Sequence, residues 1–254
     1  MQNAIEKLGA TRIKQMVAHL AEQLNIPSEL HIDYVCSVCC DNLDLAPNIN
    51  GRKKKNLFSA EECVEQWVLK FKHGYDERIS VRKSKLPGTV PDKAVNIILS
   101  TGLHCHYVDH IQSIIYAHRL GMSAENILGL LLEEFLFNRL SPFGWAMAWG
   151  ETIKSVDFCN AEGFLLQVKN RSNSENSSSS QIRSGKPIEK WFRVNATNGR
   201  YQWDELNAIV GSHSGLELNE KSFQEFIEDV LKKNPAALAI EPDNPWLRFL
   251  RQKP

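Results

Sequence analysis

At residues 157–169 the chain reads DFCNAEGFLLQVK, and this stretch decides the fold. Its two apolar halves are separated by Asn160, by Glu162 and by Gly163, which is the pattern of a β-hairpin. A three-residue loop at 161–163 is favoured, because glycine takes the left-handed backbone of a bulged turn without a steric penalty. The stretch therefore predicts two antiparallel strands.

The register of this hairpin decides which side chains lie together, because successive side chains of a strand point to opposite faces. With the three-residue loop, Asp157 lies opposite Gln167 and Lys169 lies diagonally beside them. A two-residue loop would pair Asp157 with Leu166 and send Gln167 and Lys169 to the other face. Gly163 favours the first register, which brings a carboxylate, an amide oxygen and an amine together.

Strand-like and helical patterns surround the hairpin. Strand-like runs at 145–149, 152–160 and 164–169 predict an antiparallel meander. Apolar residues follow helical periods from the N-terminus to about residue 140, and helices are predicted to begin at Ser59 and Ser123 as N-caps. Two more helices are expected near 203–210 and 218–233, so helices and a small sheet share one chain.

Composition excludes several classes of protein. The 254 residues are 43% hydrophobic and 24% charged, which excludes wholesale disorder and a fibrous repeat. The net charge is +0, so binding to a polyanion has to come from a local basic patch. No apolar run approaches the roughly 18 residues of a membrane span, and the six cysteines lie in apolar patterns. We therefore expect a cytoplasmic protein with no membrane contact and with reduced, buried thiols.

The side chains grouped by the hairpin suit divalent-metal chemistry on a phosphodiester. Asp157 and the Gln167 carbonyl offer hard oxygen ligands to Mg²⁺, which would activate a water molecule. Lys169 would polarise that water or stabilise charge on the phosphate. The alternative interpretation is an ordinary surface ion pair between facing strands.

A basic segment follows the hairpin. Between 167 and 203 seven basic residues face two acidic ones, a net charge of +5 in a neutral protein. Such a patch is typical of phosphate binding, although the serine run within it also fits a flexible linker. The side chains predicted to bind DNA are Asn170, Arg171, Asn173, Asn176, Ser177, Ser178, Ser179, Arg183, Lys190, Arg193 and Asn195.

Several long strings make the chain similar to a known family. They are AHRLGMSAENILGLLLEE at 117–134, AWGETIKSVDFC at 148–159, LLQVKNRSNSENSSSS at 165–180, KWFRVNA at 190–196 and NPAALAIEPDNPW at 234–246. With them the chain resembles type II restriction endonucleases of the SinI/AvaII group over about residues 80–246. That resemblance implies the PD-(D/E)-x-K nuclease fold, an α/β core (α+β mixed) with a helical N-terminal part.

The resemblance also implies an activity and its partners. It implies Mg²⁺-dependent cleavage of double-stranded DNA at a palindrome of the GGWCC kind, by a homodimer in a prokaryotic cytoplasm beside a companion DNA methyltransferase. Residues 1–120 are then a helical part available for dimerisation or DNA-backbone contacts. Residues 121–254 are the nuclease core with a DNA-recognition loop at 170–203.

The chain departs from the family's motif at two positions. Val156 stands where the motif has its proline, and Gln167 replaces the usual carboxylate. One negative charge fewer is left to hold a metal ion. Glu134, on the apolar helix, or Glu151 is expected to supply the missing carboxylate.

Three other interpretations stay open at this point. The ligand types of a zinc site are present in Cys36, Cys39, Cys40, His104, Cys105, His106 and His110. A zinc-containing or other non-catalytic DNA-binding protein would explain the basic segment, but it leaves the grouping of the hairpin side chains to chance. A repair or nonspecific nuclease would keep the fold and change the substrate.

Overall fold

The computed structural model describes residues 1–49, 58–86, 88, 92–105, 107–172, 188–211, 213 and 215–247. Within them the helices are α1 (Gln2–Leu8), α2 (Ala10–Gln23), α3 (Ile32–Asp41), α4 (Ala60–Asp76), α5 (Lys93–Gly102), α6 (Val108–Leu140), α7 (Trp203–Val210) and α8 (Glu220–Lys233). The strands are β1 (Trp145–Met147), β2 (Phe158–Asn160), β3 (Leu165–Arg171) and β4 (Glu189–Val194). The predicted mixed α+β class is confirmed.

The chain divides into two compact units. Unit 1 comprises Met1–Arg78 and Leu132–Phe226, and unit 2 comprises Ile79–Leu131 and Ile227–Pro254. Helices α6 and α8 have residues in both units. The predicted boundary between residues 120 and 121 falls within α6 and stays a prediction.

The four strands form one mixed sheet in the order β1-β2-β3-β4, in which β1, β2 and β3 are antiparallel and β4 runs parallel to β3. Phe158 pairs with Leu166 and Cys159 with Leu165, as the three-residue loop predicts. Gly163 has a φ of +79°. The antiparallel meander and its register are thus confirmed. The second strand is shorter than predicted, because the chain turns with positive φ at Glu151 and Ser155.

The N-terminal helices of unit 1 pack against the region that joins β1 to β2. The indole N–H of Trp67, on α4, donates to the Thr152 carbonyl over 3.0 Å, and the Cys39 thiol, on α3, donates to the same oxygen over 3.4 Å. Helix α3 also contacts β1 and β2. The predicted N-cap at Ser59 is confirmed, since its hydroxyl accepts the Glu62 N–H while the Glu62 carboxylate accepts the Ser59 N–H.

The predicted N-cap at Ser123 is wrong. Helix α6 begins fifteen residues earlier, at Val108, and Ser123 is buried inside it. The segment 108–122 has its own helical period and no proline, so nothing stops the helix before Ser123. Gly121 is tolerated inside a helix at a modest loss of stability.

In the described parts of the chain, no helix is long and apolar enough to cross a membrane. All six cysteines are free thiols, and Cys36, Cys39, Cys63 and Cys159 are buried. Burial raises the pKa of Cys159 to about 12. The expectation of reduced, buried thiols is met at these four positions.

Helix α4 and the turn after β1 approach each other through two glycines. A Cβ atom on Gly74 would lie 2.3 Å from the Gly150 nitrogen, and a Cβ on Gly150 would lie 2.3 Å from the Lys70 carbonyl oxygen. Both distances are far below van der Waals contact, and the atoms met are backbone. This turn carries Glu151, so the approach also fixes one edge of the site described below.

We expect Gly74→Ala to destabilise the protein by about 2–3 kcal/mol, because backbone has to move to admit one methyl group. Urea unfolding measures the effect. Gly129→Ala is the matched control, since nothing lies within 4 Å of a Cβ atom at that helical glycine. The control is expected to be neutral or stabilising. Equal stabilities of the two variants would contradict the close approach.

Candidate active site and nucleic-acid interface

The hairpin fixes the carboxylate of Asp157 through backbone hydrogen bonds. The Val168 N–H donates to Asp157 Oδ2 over 2.7 Å, and the Asp157 N–H donates to the Leu166 carbonyl over 2.9 Å. The strand register continues to place Asp157 opposite Gln167, whose side chain is buried. Lys169, two residues further along β3, is exposed. A held carboxylate, a buried amide and an exposed amine thus share one end of the hairpin.

A second carboxylate interacts with this group and was missed by the sequence analysis. The pKa of Glu133, on α6, is raised to about 7, chiefly by burial and also by the negative charge of Asp157, while Lys169 opposes the shift. The pKa of Asp157 is also raised, chiefly by burial, although the Val168 N–H and Lys169 lower it in part. Glu133 and Asp157 are therefore close enough to repel each other, with Lys169 near both.

Glu134, which was expected to be the extra carboxylate, interacts with another partner. Its side chain is only 3% exposed, and Arg78 Nε lies 3.5 Å from its Oε1. The Arg78 guanidinium also stacks on the Tyr75 ring, 4.3 Å from its centroid. Successive helical residues are about 100° apart around the axis, so Glu133 and Glu134 face different surroundings. Their adjacency in the sequence was the available signal for Glu133, but it could not decide between them.

Glu151, the other expected carboxylate, is at the edge of the site. It has a left-handed backbone with φ +56°, and its exposed carboxylate lies 3.9 Å from Lys70 Nζ. Its negative charge raises the pKa of both Glu133 and Asp157. Glu151 thus belongs to the same electrostatic group, at larger exposure to solvent.

The donor set fits a hard divalent cation. Two carboxylates with raised pKa values repel each other in a partly dry setting, and a cation between them would remove that repulsion. Among the described residues, however, no group of three His, Cys, Asp or Glu side chains is arranged to hold a metal ion. A cation here would therefore need the Gln167 amide oxygen, water or a substrate oxygen to complete its shell. The same finding gives no support to the zinc interpretation, although His106 lies outside the described residues.

Two of the predicted DNA-binding residues are engaged inside unit 1. Arg193 is only 7% exposed, and its Nη1 donates to both Glu220 carboxylate oxygens over 2.6 and 2.7 Å. Its Nε donates to the Asn170 side-chain oxygen over 2.8 Å. The guanidinium also lies over the rings of Tyr201 and Phe223. Arg193 and Asn170 therefore join β3 and β4 to the start of α8.

The other described members of the basic segment are nearer to solvent. Arg171 is exposed at the end of β3, on the same face as Lys169. Lys190 is half-buried on β4, where it pairs with Gln167. The Asn195 side-chain oxygen accepts the N–H groups of Thr197 and Asn198 and so shapes a turn. The predicted residues Asn173, Asn176, Ser177, Ser178, Ser179 and Arg183 lie outside the described part of the chain.

Comparison with known proteins gives consistent matches over most of the chain. A family model described as SinI restriction endonuclease matches residues 15–233. The type II restriction enzyme Eco47I of Escherichia coli is 40% identical over 188 residues, which are 72% of this chain and 78% of that protein. The type II restriction enzyme SinI of Salmonella infantis is 36% identical over 191 residues, which are 73% of this chain and 80% of that protein. The matched range begins well before residue 117, where the first of the quoted strings begins.

Proposed function

Because the chain belongs to the SinI restriction endonuclease family, we propose that it makes Mg²⁺-dependent double-strand cuts in DNA at a short palindrome of the GGWCC kind. The observation that carries the proposal is the hairpin register, which sets Asp157 opposite Gln167 with Lys169 beside them and with Glu133 in electrostatic reach. The named relatives are type II restriction enzymes, and this supports the same reaction class.

Each polar group of the site has a proposed role. Asp157, Glu133 and the Gln167 carbonyl are the groups that would hold the cation, with Glu151 at the margin. Mg²⁺, when bound, supplies a Lewis acid and lowers the pKa of a water molecule. The Val168 N–H keeps the Asp157 carboxylate in one orientation. Lys169 orients the attacking water and stabilises negative charge that develops on the scissile phosphate.

DNA binding is assigned to the segment 170–203. Arg171 lies two residues beyond Lys169 on the same strand, so we expect it to contact a phosphate or a base edge near the cut. Lys190 offers a second positive charge on the neighbouring strand. Asn173, Asn176, Ser177, Ser178, Ser179 and Arg183 are proposed to bond phosphates and base edges. Arg193, Asn170 and Asn195 are proposed to shape this surface from within.

A palindrome has two-fold symmetry, so the proposed enzyme is a homodimer that offers one site to each strand. Cutting after the first G of GGWCC would leave three-nucleotide 5′ overhangs. Host DNA contains the same palindrome, and a companion DNA methyltransferase is therefore part of the proposal. Such an enzyme would work in a prokaryotic cytoplasm, where foreign DNA arrives.

The test is incubation of a sequenced plasmid with the protein and Mg²⁺, followed by mapping of the ends. Discrete fragments with a common terminal sequence support the proposal. A smear would identify a nonspecific or repair nuclease, and a mobility shift without cleavage would identify a DNA-binding protein. Repeating the reaction with EDTA tests the requirement for a divalent cation.

Glu133 and Glu134 provide a matched pair of variants. We expect Glu133→Gln to reduce cleavage by about 100-fold or more, because one charged ligand for the cation is removed. We expect Glu134→Gln to keep most of the activity, because an amide oxygen can accept a hydrogen bond from Arg78 where the carboxylate now pairs with it. Single-turnover cleavage at a range of Mg²⁺ concentrations measures both. The reverse order of activities would assign the role to Glu134 instead.

A further inference from the structure

Helix α5 in unit 2 has little of the packing that usually stabilises a short helix. It has ten residues and none of them is buried, although five are apolar. Ile97 is 65% exposed and Ile98 is 69% exposed. Isolated helices shorter than about 12–15 residues are marginal in water, so most helical stability comes from burying an apolar face. Most of the apolar surface of α5 is therefore left uncovered by the described residues of the chain.

The first part of α6, in the same unit, continues this exposed apolar surface. The large apolar side chains of the α5–α6 surface are Val95, Ile97 and Ile98 on α5, Leu103 and Tyr107 in the connection, and Val108, Ile114 and Met122 on α6. Between the two helices lies a groove of about 460 Å³ with Val95, Leu99, Ile114 and Met122 among its lining residues. An apolar groove of this size is a natural seat for side chains of a partner.

The area of the α5–α6 surface suits a stable protein–protein contact. Its eight named residues are between 40% and 71% exposed, and at roughly 150 Å² for each large side chain the exposed apolar area is on the order of 700 Å² in all. The largest apolar patch of a typical monomer is about 300–600 Å², and each partner of a stable complex buries about 800 Å². The α5–α6 surface is closer to an interface than to ordinary exposed apolar area.

Charge favours a second copy of this chain over a nucleic acid at this surface. Residues 92–122 contain two basic residues, Lys93 and Arg119, and two acidic residues, Asp92 and Asp109. A neutral segment offers no field to attract phosphates, whereas the basic segment at 167–203 does. In a two-fold contact each copy presents the same patch, and equal numbers of both signs allow that patch to complement itself.

The apolar faces of the helices that precede residue 79 are buried within the chain. Ile5 on α1, Ile13 on α2, Val35 on α3 and Trp67 on α4 are buried within the chain. These apolar faces made the whole segment 1–120 the predicted dimerisation part. Among the described residues of 1–120, the exposed large apolar side chains all follow residue 79; most lie on α5, on the start of α6 or between them, and Val81 and Leu86 precede α5.

We infer that the α5–α6 surface is where two copies of this chain associate, the partner's matching surface covering the exposed side chains and the groove. This inference rests on the proposed function in one respect, since a palindromic cut calls for two copies. The geometry of the surface is independent of that function.

Sedimentation velocity of the full chain without DNA, from nanomolar to micromolar concentrations, tests the inference. We expect a dimer for the native protein and at least about 100-fold weaker association for the double variant Ile97→Glu with Ile98→Glu. Val81→Glu is the control, because Val81 is apolar and 52% exposed but lies outside α5 and α6. It should associate as the native protein does.

A dimeric double variant, or a native protein that is monomeric throughout, would overturn the inference. If circular dichroism shows the double variant to be unfolded, hydrogen exchange of the native protein decides instead. Protection at 93–122 that rises with protein concentration supports the surface, and unchanged protection overturns it. A dimer of this kind that cuts no DNA would refute the proposed function and leave the interface standing.

Discussion

Replacing Lys169 by alanine is expected to lower cleavage by at least about 1,000-fold while specific DNA binding in Ca²⁺ is retained. Lys169 is exposed, so its loss does not disturb the packing of the sheet. In the proposed mechanism its charge acts on the phosphate as negative charge develops in the transition state and contributes little to ground-state affinity. Single-turnover cleavage in Mg²⁺ and a binding titration in Ca²⁺ measure the two effects separately.

Two further variants accompany this experiment, one as a control and one as a second test of the site. Lys221→Ala removes an exposed lysine of α8 and should cut as the native enzyme does. Asp157→Asn removes the carboxylate's charge but keeps an oxygen for the Val168 N–H, so loss of activity without loss of folding is expected. Near-native turnover by Lys169→Ala or Asp157→Asn would show that the site lies elsewhere.

Replacing Arg193 by glutamine is expected to lower the free energy of unfolding by about 3 kcal/mol. Replacing a surface residue that only contacted DNA would leave the stability of the free protein nearly unchanged. The change removes the guanidinium that donates hydrogen bonds to both oxygens of the Glu220 carboxylate, which lies in a largely buried position. It also removes the hydrogen bond to Asn170 and the packing against two aromatic rings. Urea unfolding of the free protein measures the effect.

Arg171→Gln is the matched variant, because Arg171 is exposed on the adjacent strand. It should unfold as the native protein does and weaken DNA binding by about 1–3 kcal/mol if it contacts a base. Because Arg193 is engaged within unit 1, we propose Arg171 and Arg183 as the arginines of this segment that contact DNA. An Arg193→Gln protein of native stability and relaxed sequence preference would reverse this assignment.

The parts of the fold that depend on local chemistry could be predicted from the sequence. Gly163 determined the loop length, and the loop length determined that Asp157 lies opposite Gln167. Ser59 likewise predicted the start of α4. Each of these features is determined by residues within a few positions of one another, so the amino-acid sequence is sufficient to predict it.

Features that depend on distant partners could not be predicted in this way. The ion pair of Glu134 with Arg78, which is more than fifty residues away, could not be foreseen from the neighbouring residues in the sequence. Arg193 was predicted to bind DNA from the net charge of the segment 167–203, because its partner Glu220 lies 27 positions further along the chain and outside that segment. In each case a tertiary contact outweighed the local signal.

The contact between Gly74 and Gly150 limits how this enzyme can be re-engineered. A larger residue at one position cannot be offset by a smaller one at the other, because glycine is already the smallest residue. A Cβ atom at either position would meet backbone. A library that randomises the region around Glu151 would therefore lose most of its members to misfolding wherever position 150 is included. Diversity is better placed at exposed positions such as Arg171, where altered DNA recognition can be selected without that loss.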